Sequence, residues 1–181
     1  MYAELHLHNA DLRYWIEEFP TLIDTEVQIE SIKINREGID KKDYPYRKLA
    51  LEVNLYRNAG NYALLGMEYM PNDGDELTVN IHYITENQIH YQSELTLYND
   101  YKYVGLLKEY KDIIIDTIQS SHGIGGGCLN IPIAVNCEVG SCPIIFGKVI
   151  EMLLEVMCED KDEVNLDLRI QKLYKKIFLK N

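Results

Sequence analysis

The chain has 181 residues, 46% of them apolar, which is enough to bury a core and excludes a disordered polymer. With 29 acidic against 18 basic side chains its formal charge is −11, a surface that repels phosphate backbones, so nucleic acid is not an expected partner. No apolar run reaches the roughly 18 residues of a membrane span, and the first residues lack the regions of a secretory signal, so a cytoplasmic protein without membrane contact is expected. The four cysteines all fall in the last third, which speaks against a disulfide framework.

Taken in order, Ala3, Leu5 and Leu7 alternate with Glu4, His6 and His8 and predict a strand over 2–8. Leu12, Trp15, Ile16 and Phe19 recur at helical spacing behind Asn9 or Asp11 as a cap, predicting a helix over 11–19 that Pro20 ends. Residues 26–35 alternate again, but Val27 and Ile29 are out of phase with Ile32 and Ile34. The slip near Glu30 and Ser31 predicts a bulge. Residues 36–47 are charged, contain Gly38 and Pro45, and read as a loop. Strands are expected over 48–56, 61–70, 76–85 and 89–98, joined by turns of Asn, Asp and Gly short enough to favour antiparallel neighbours.

The stretch 104–160 organises the rest. Leu106, Leu107, Tyr110, Ile113, Ile114 and Ile118 keep a helical period, predicting a helix over 104–121 with Gly123 just past its end. A glycine loop follows, then a buried strand over 129–139. Pro143 opens a helix over 143–158 that is apolar on most sides. That helix is read as central to the core, with a homodimer interface as the alternative, so Ile114 and Ile150 are expected to be buried. An acidic linker over 159–163 leads to a last amphipathic segment, helix or strand, within 164–181. The expected fold is α+β: an antiparallel or mixed sheet of about five to seven strands with two main helices (104–121 and 143–158) on one face. A single domain spans 1–181, with 1–47 readable as an N-terminal extension.

Two histidines two apart on a strand point the same way and can reach one metal ion. Glu4, His6 and His8 resemble the opening motif of the PHP phosphoesterases and amidohydrolases over six residues. The resemblance implies a metal at His6 and His8, completed by His82, His90 or His122. The alternative is an exposed polar strand face. The glycine loop Gly123, Gly125, Gly126 and Gly127 leaves a helix and enters a strand, the reverse of a phosphate-binding loop, and reads as a turn. Cys142 is the best nucleophile candidate, at a helix start where the dipole favours a thiolate, with His122 as base and Asn136 or Glu138 as orienter. It is expected to be the most reactive thiol. Cys128, Cys137 and Cys158 read as core.

Tyrosine is over-used, fourteen against three phenylalanines and one tryptophan. Tyr98, Tyr101 and Tyr103 form its densest group, and with Asp100 and Glu109 they read as a partner-binding surface. Residues 61–127 hold ten acidic side chains against Lys102, Lys108 and Lys111. Charge and tyrosine together point to a non-enzymatic acidic protein-binding module for a basic partner, with no cofactor. An immunity-type inhibitor of a toxin or enzyme domain is its concrete form. Two alternatives stand beside it. One is a small hydrolase using Cys142 and His122 or a metal at His6 and His8. The other is a translation- or ribosome-associated module, since the element order resembles the β-rich α/β domains of translation factors and ribosomal proteins.

Overall fold

The computed structural model describes residues 1–23, 26–39, 44, 46–56, 61–85, 89–95, 101–158 and 165–179. Its strands are β1 (Tyr2–His6), β2 (Ala10–Ile16), β3 (Val27–Asn35), β4 (Lys48–Leu55), β5 (Tyr62–Pro71), β6 (Glu76–Ile84), β7 (Lys102–Val104) and β8 (Gly127–Cys137). Its helices are α1 (Lys111–Ser120), α2 (Pro143–Cys158) and α3 (Leu166–Phe178). The eight strands form one mixed sheet in the order β1-β2-β4-β5-β8-β6-β3, with β7 also beside β8. All pairs are antiparallel except β6 with β8. The first 47 residues supply three strands of this sheet and are built into it. The sheet has one strand more than the expected range, and α3 adds a third helix.

Alternation along each strand sends successive side chains to opposite faces. Leu12, Tyr14, Leu51, Val53, Leu65, Met67, Val79 and Ile81 face the helices and join Ile114, Ile150 and Ile170 in the main core. Ile114 and Ile150 are fully buried, as expected. Trp15, Ala50, Tyr62, Leu64 and Val135 point the other way, into a smaller cluster with Phe19, Leu22 and Tyr91. Because β2 is covered on both sides, its apolar residues do not alternate, and Leu12, Trp15 and Ile16 imitate a helical period. The helix expected over 11–19 is therefore a strand.

The helix expected over 104–121 begins later. Residues 102–104 pair with β8 as β7, a single 3₁₀ turn covers Lys108–Tyr110, and α1 starts at Lys111. Gly105 enforces this: its φ is +120°, and a Cβ there would lie 2.5 Å from Ile84 Cβ. Residues 89–95 form no strand; their ladder pairing is a single bridge between His90 and Tyr103, and side chains make the other ties to the sheet. The rest of the strand expected over 89–98 lies outside the described residues.

No bulge interrupts β3; its register with β6 runs unbroken from Val27 to Asn35. The slip is a change of face, with Val27 and Ile29 on the open side and Ile34 buried on the other. The irregularity falls instead where β5 meets β8. Gly66 pairs with Ile133 but Glu68 with Asn130, so β8 carries one extra residue beside Pro132. A proline without an N–H is tolerated in a central strand at such a point. The extra residue inverts the phase of β8. Leu129 and Ile131 pack into the main core, whereas Ile133, Val135 and Cys137 face the smaller cluster. The same place marks a change of neighbour, from β6 along 127–131 to β7 along 135–137.

Neither α1 nor α2 has a basic residue in its last turn. Two buried arginines from elsewhere serve their C-terminal carbonyls. Arg36 donates to the carbonyls of Ile118, Gln119 (3.2 Å) and Ser121 (2.9 Å). Arg169 of α3 donates to those of Glu155 (2.8 Å) and Val156 (3.1 Å). Both cations face the negative end of a helix dipole.

Candidate functional site

The N-terminal end of α2 gathers several of the residues singled out by sequence. Residues 102–104 pair with the end of β8, and the Glu138 amide donates to the Tyr101 carbonyl at 3.0 Å. Tyr101 and Tyr103 sit two apart on this edge. His90 packs against both, with ring centroids 5.7 Å and 4.9 Å away. Tyr101 is 61% exposed, Val139 after Glu138 is 84% exposed, and Ile144 in the first turn of α2 is 67% exposed. Glu109 is exposed beside Tyr110, whose ring stacks on Phe146 at 4.7 Å, so it lies at the same end. Cys142 is half-buried there, just before Pro143. Tyr98 and Asp100 lie outside the described residues.

Beneath this end, on the sheet face away from the helices, is a buried ionic network. Glu52 is fully buried on β4. Its Oε2 accepts from Arg13 Nε (2.9 Å) and Nη2 (2.7 Å), and its Oε1 from Tyr62 (2.6 Å) and Ser93 (2.5 Å). Arg13 also donates to Glu94 (2.8 Å) and Tyr91 (3.2 Å). Burial disfavours the charged guanidinium, but Glu52 beside it outweighs that and raises the Arg13 pKa. Burial drives the Tyr62 hydroxyl well above its ordinary value, with Glu52 adding to the effect. Lys102 is buried with its ammonium 4.9 Å from the Tyr62 ring centre. The network joins β2, β4 and β5 to segment 89–95, which carries His90. Sequence reasoning missed it, although Glu52 among Leu49, Leu51, Val53 and Leu55 was a visible signal: a carboxylate in a buried strand needs a cation.

The structure does not bring His122 to Cys142. His122 follows the C-terminal end of α1 and lines a groove with Cys158, the last residue of α2. Cys142 precedes the first, and sixteen residues of helix separate them by about 24 Å. The two cannot act as nucleophile and base. Asn136 is also committed elsewhere, donating to the Gly105 carbonyl at 2.9 Å. Of the cysteines read as core, Cys137 is buried, Cys158 is half-buried and packs against the main core, and Cys128 is half-buried.

His6 is exposed at the end of β1, and its Nδ1 lies 2.7 Å from Asp11 Oδ1. That hydrogen bond raises its pKa. His8 lies in the following turn, His82 on the open sheet face, and His90 and His122 at the sites above. Among the described residues no three His, Cys, Asp or Glu side chains are grouped to hold a metal ion. The glycine loop is explained by close packing. A Cβ on Gly126 would lie 1.9 Å from the Gly74 carbonyl oxygen, and one on Gly123 would lie 2.4 Å from Cys158 Sγ.

No family model, no curated protein and no solved structure matches this chain. No helix among the described residues is long and apolar enough to cross a membrane.

Proposed function

We propose that this chain is a non-enzymatic protein-binding module for a basic partner, its concrete form an immunity-type inhibitor of a basic toxin or enzyme domain. The observation that carries the reading is the aromatic group of exposed Tyr101 and His90 with half-buried Tyr103, beside exposed Val139 and Ile144 at one end of the molecule. Rings with polar edges offer large contact area with little side-chain entropy to lose, which favours them at interfaces. Glu138 flanks them, its amide bonded to the Tyr101 carbonyl, and the net charge of −11 steers a cationic partner over longer range.

The test is capture of a basic protein from the source cell on the immobilised chain, followed by binding rates at low and high salt. The association rate falls with salt while the dissociation rate changes little. Tyr101→Ala or Tyr103→Ala raises the dissociation rate about 30-fold, the equivalent of a hot spot of about 2 kcal/mol. A partner whose association ignores salt and whose dissociation ignores both tyrosines overturns the reading.

A further inference from the structure

At the other end of α2 the surface has a different character. The two helices touch at Gly147, where a Cβ would come 2.8 Å from Ile113 Cγ1. From there to their C-terminal ends, α1 and α2 enclose a groove of about 710 Å³. Its floor is apolar, with Ile113 and Leu154, and its rim carries Asp116, Glu151 and Glu155. No Lys or Arg appears among its described lining residues. Glu155 is held by Lys176 at 2.9 Å, whereas Asp116 and Glu151 have no ion pair among the described residues. Two helix C-termini end here, but Arg36 and Arg169 already serve their carbonyls, so the groove's negative charge is that of its carboxylates. The carboxylates are too dispersed to form a metal cluster. They suit cationic groups spaced along a chain, and an apolar floor between acidic rims suits an apolar residue between those cations.

We propose that this groove takes a basic amphipathic segment of a partner protein. Its apolar side chain would sit on Ile113 and Leu154, and its Lys or Arg side chains on Asp116 and Glu151. The inference rests on the binding reading above and adds a second contact point, the length of α2 away from the aromatic end. Electrostatic complementarity gives the encounter its rate and register, and the apolar floor gives it selectivity for an amphipathic segment over a merely charged one.

The test uses the full chain labelled with ¹⁵N and two synthetic twelve-residue peptides. One has lysines with a leucine at every third or fourth position; the other has the same number of lysines among glycines. The leucine-bearing peptide gives saturable amide shifts within 113–123 and 151–158, binds at least five-fold tighter than the other, and slows alkylation of Cys158. Asp116→Asn with Glu151→Gln weakens it about five-fold, as two exposed charge pairs should. Both positions are exposed, so the double variant keeps its fold. Glu26→Gln, an exposed carboxylate outside both contacts, changes nothing. Shifts that never saturate, equal binding of both peptides, or indifference to the double substitution overturn the proposal. Shifts confined to 101–103 and 138–144 overturn the groove and leave the aromatic contact standing. A natural partner that depends on the groove but not on Tyr101 or Tyr103 overturns the aromatic contact alone.

Discussion

Replacing Glu52 with Gln is the sharpest probe of how this chain holds its second face together. Four hydrogen bonds converge on the carboxylate, from Arg13 twice, Tyr62 and Ser93. Bonds to charged groups contribute about 1.5–3 kcal/mol each. Their plain sum would match the whole stability of a domain, about 5–15 kcal/mol, so it overstates the loss. The amide keeps one acceptor for Arg13, and the two hydroxyls can turn to accept from its NH₂ group. Arg13 also keeps Glu94 at 2.8 Å, though that carboxylate is 75% exposed and shared with water. What remains is a guanidinium 5% exposed that has lost its buried counter-charge. Removing one partner of a buried pair costs about 3–5 kcal/mol, and Glu94 places this case at the lower end, about 3 kcal/mol. Urea denaturation should show the midpoint falling with an unchanged slope. A loss below about 1 kcal/mol would refute the reasoning, because Arg13 would then be solvated without Glu52. Joint replacement of Arg13 by Met and Glu52 by Leu removes both charges and should be much milder than the single change.

Ile150→Ala removes a fully buried side chain from the centre of α2 and should cost about 2–5 kcal/mol by thermal or urea unfolding. Gly126→Ala should be strongly destabilising, because the clash is with a backbone carbonyl at 1.9 Å, while Gly125→Ala, with only the Tyr44 hydroxyl at 3.8 Å, should be tolerated; equal midpoints for the two variants would sink the packing explanation of the loop. Arg36→Met strips the cation from the end of α1 and should lower stability by about 2 kcal/mol, with amide exchange rising first at 117–121. Burial pushes Tyr83, Tyr91 and Tyr110 up to about 12. Their unfolded value is about 10, so the native state holds more protons between the two. Their contribution is therefore complete below pH 10 and is lost as pH rises towards 12. Spectrophotometric titration should show these hydroxyls ionising together with unfolding; free titration at pH 10 in the folded state would contradict their burial.

The elements that were legible in the sequence are those whose environment is uniform along their length. β6 alternates cleanly because one face meets the helices and the other is open, and α2 is apolar on most sides because it is buried on most sides. The misread elements have mixed surroundings. β2 is buried on both faces, so its pattern carries no period of two. Residues 102–110 change from strand to 3₁₀ turn within a few positions, and the decisive constraint, the approach of Gly105 to Ile84, is a long-range contact. Tyr101, Tyr103 and Glu109 stand out in the sequence by composition and charge alone, without reference to the fold. His90 does not, because tertiary contacts of segment 89–95, the bridge to Tyr103 among them, bring it there. Pairing Cys142 with His122 failed for a related reason: closeness in sequence across a loop and a strand says nothing about which end of a helix each residue reaches.

The aromatic end and the buried network beneath it are mechanically connected. Segment 89–95 is not paired as a strand, so little backbone bonding holds it to the sheet; the Tyr91 amide donates to the Lys102 carbonyl at 2.8 Å and the Val104 amide to that of Ile89 at 2.9 Å. Side chains supply the rest, through Ser93 on Glu52 and Tyr91 on Arg13. His90 rides on this segment and packs on Tyr101 and Tyr103. A rigid contact surface lowers the entropic cost of association, so the buried charges bear on binding as well as on stability. The two effects separate experimentally with Ser93→Ala. It removes one hydrogen bond to a charged group, about 1.5–3 kcal/mol, and leaves the Arg13 pair intact. Amide shifts for 90 and 101–103 should move, while the groove between α1 and α2 should keep its affinity for a basic peptide. Loss of groove binding in that variant would mean the ends of α2 are coupled through the core, and that the aromatic end and the groove cannot be treated as independent contacts.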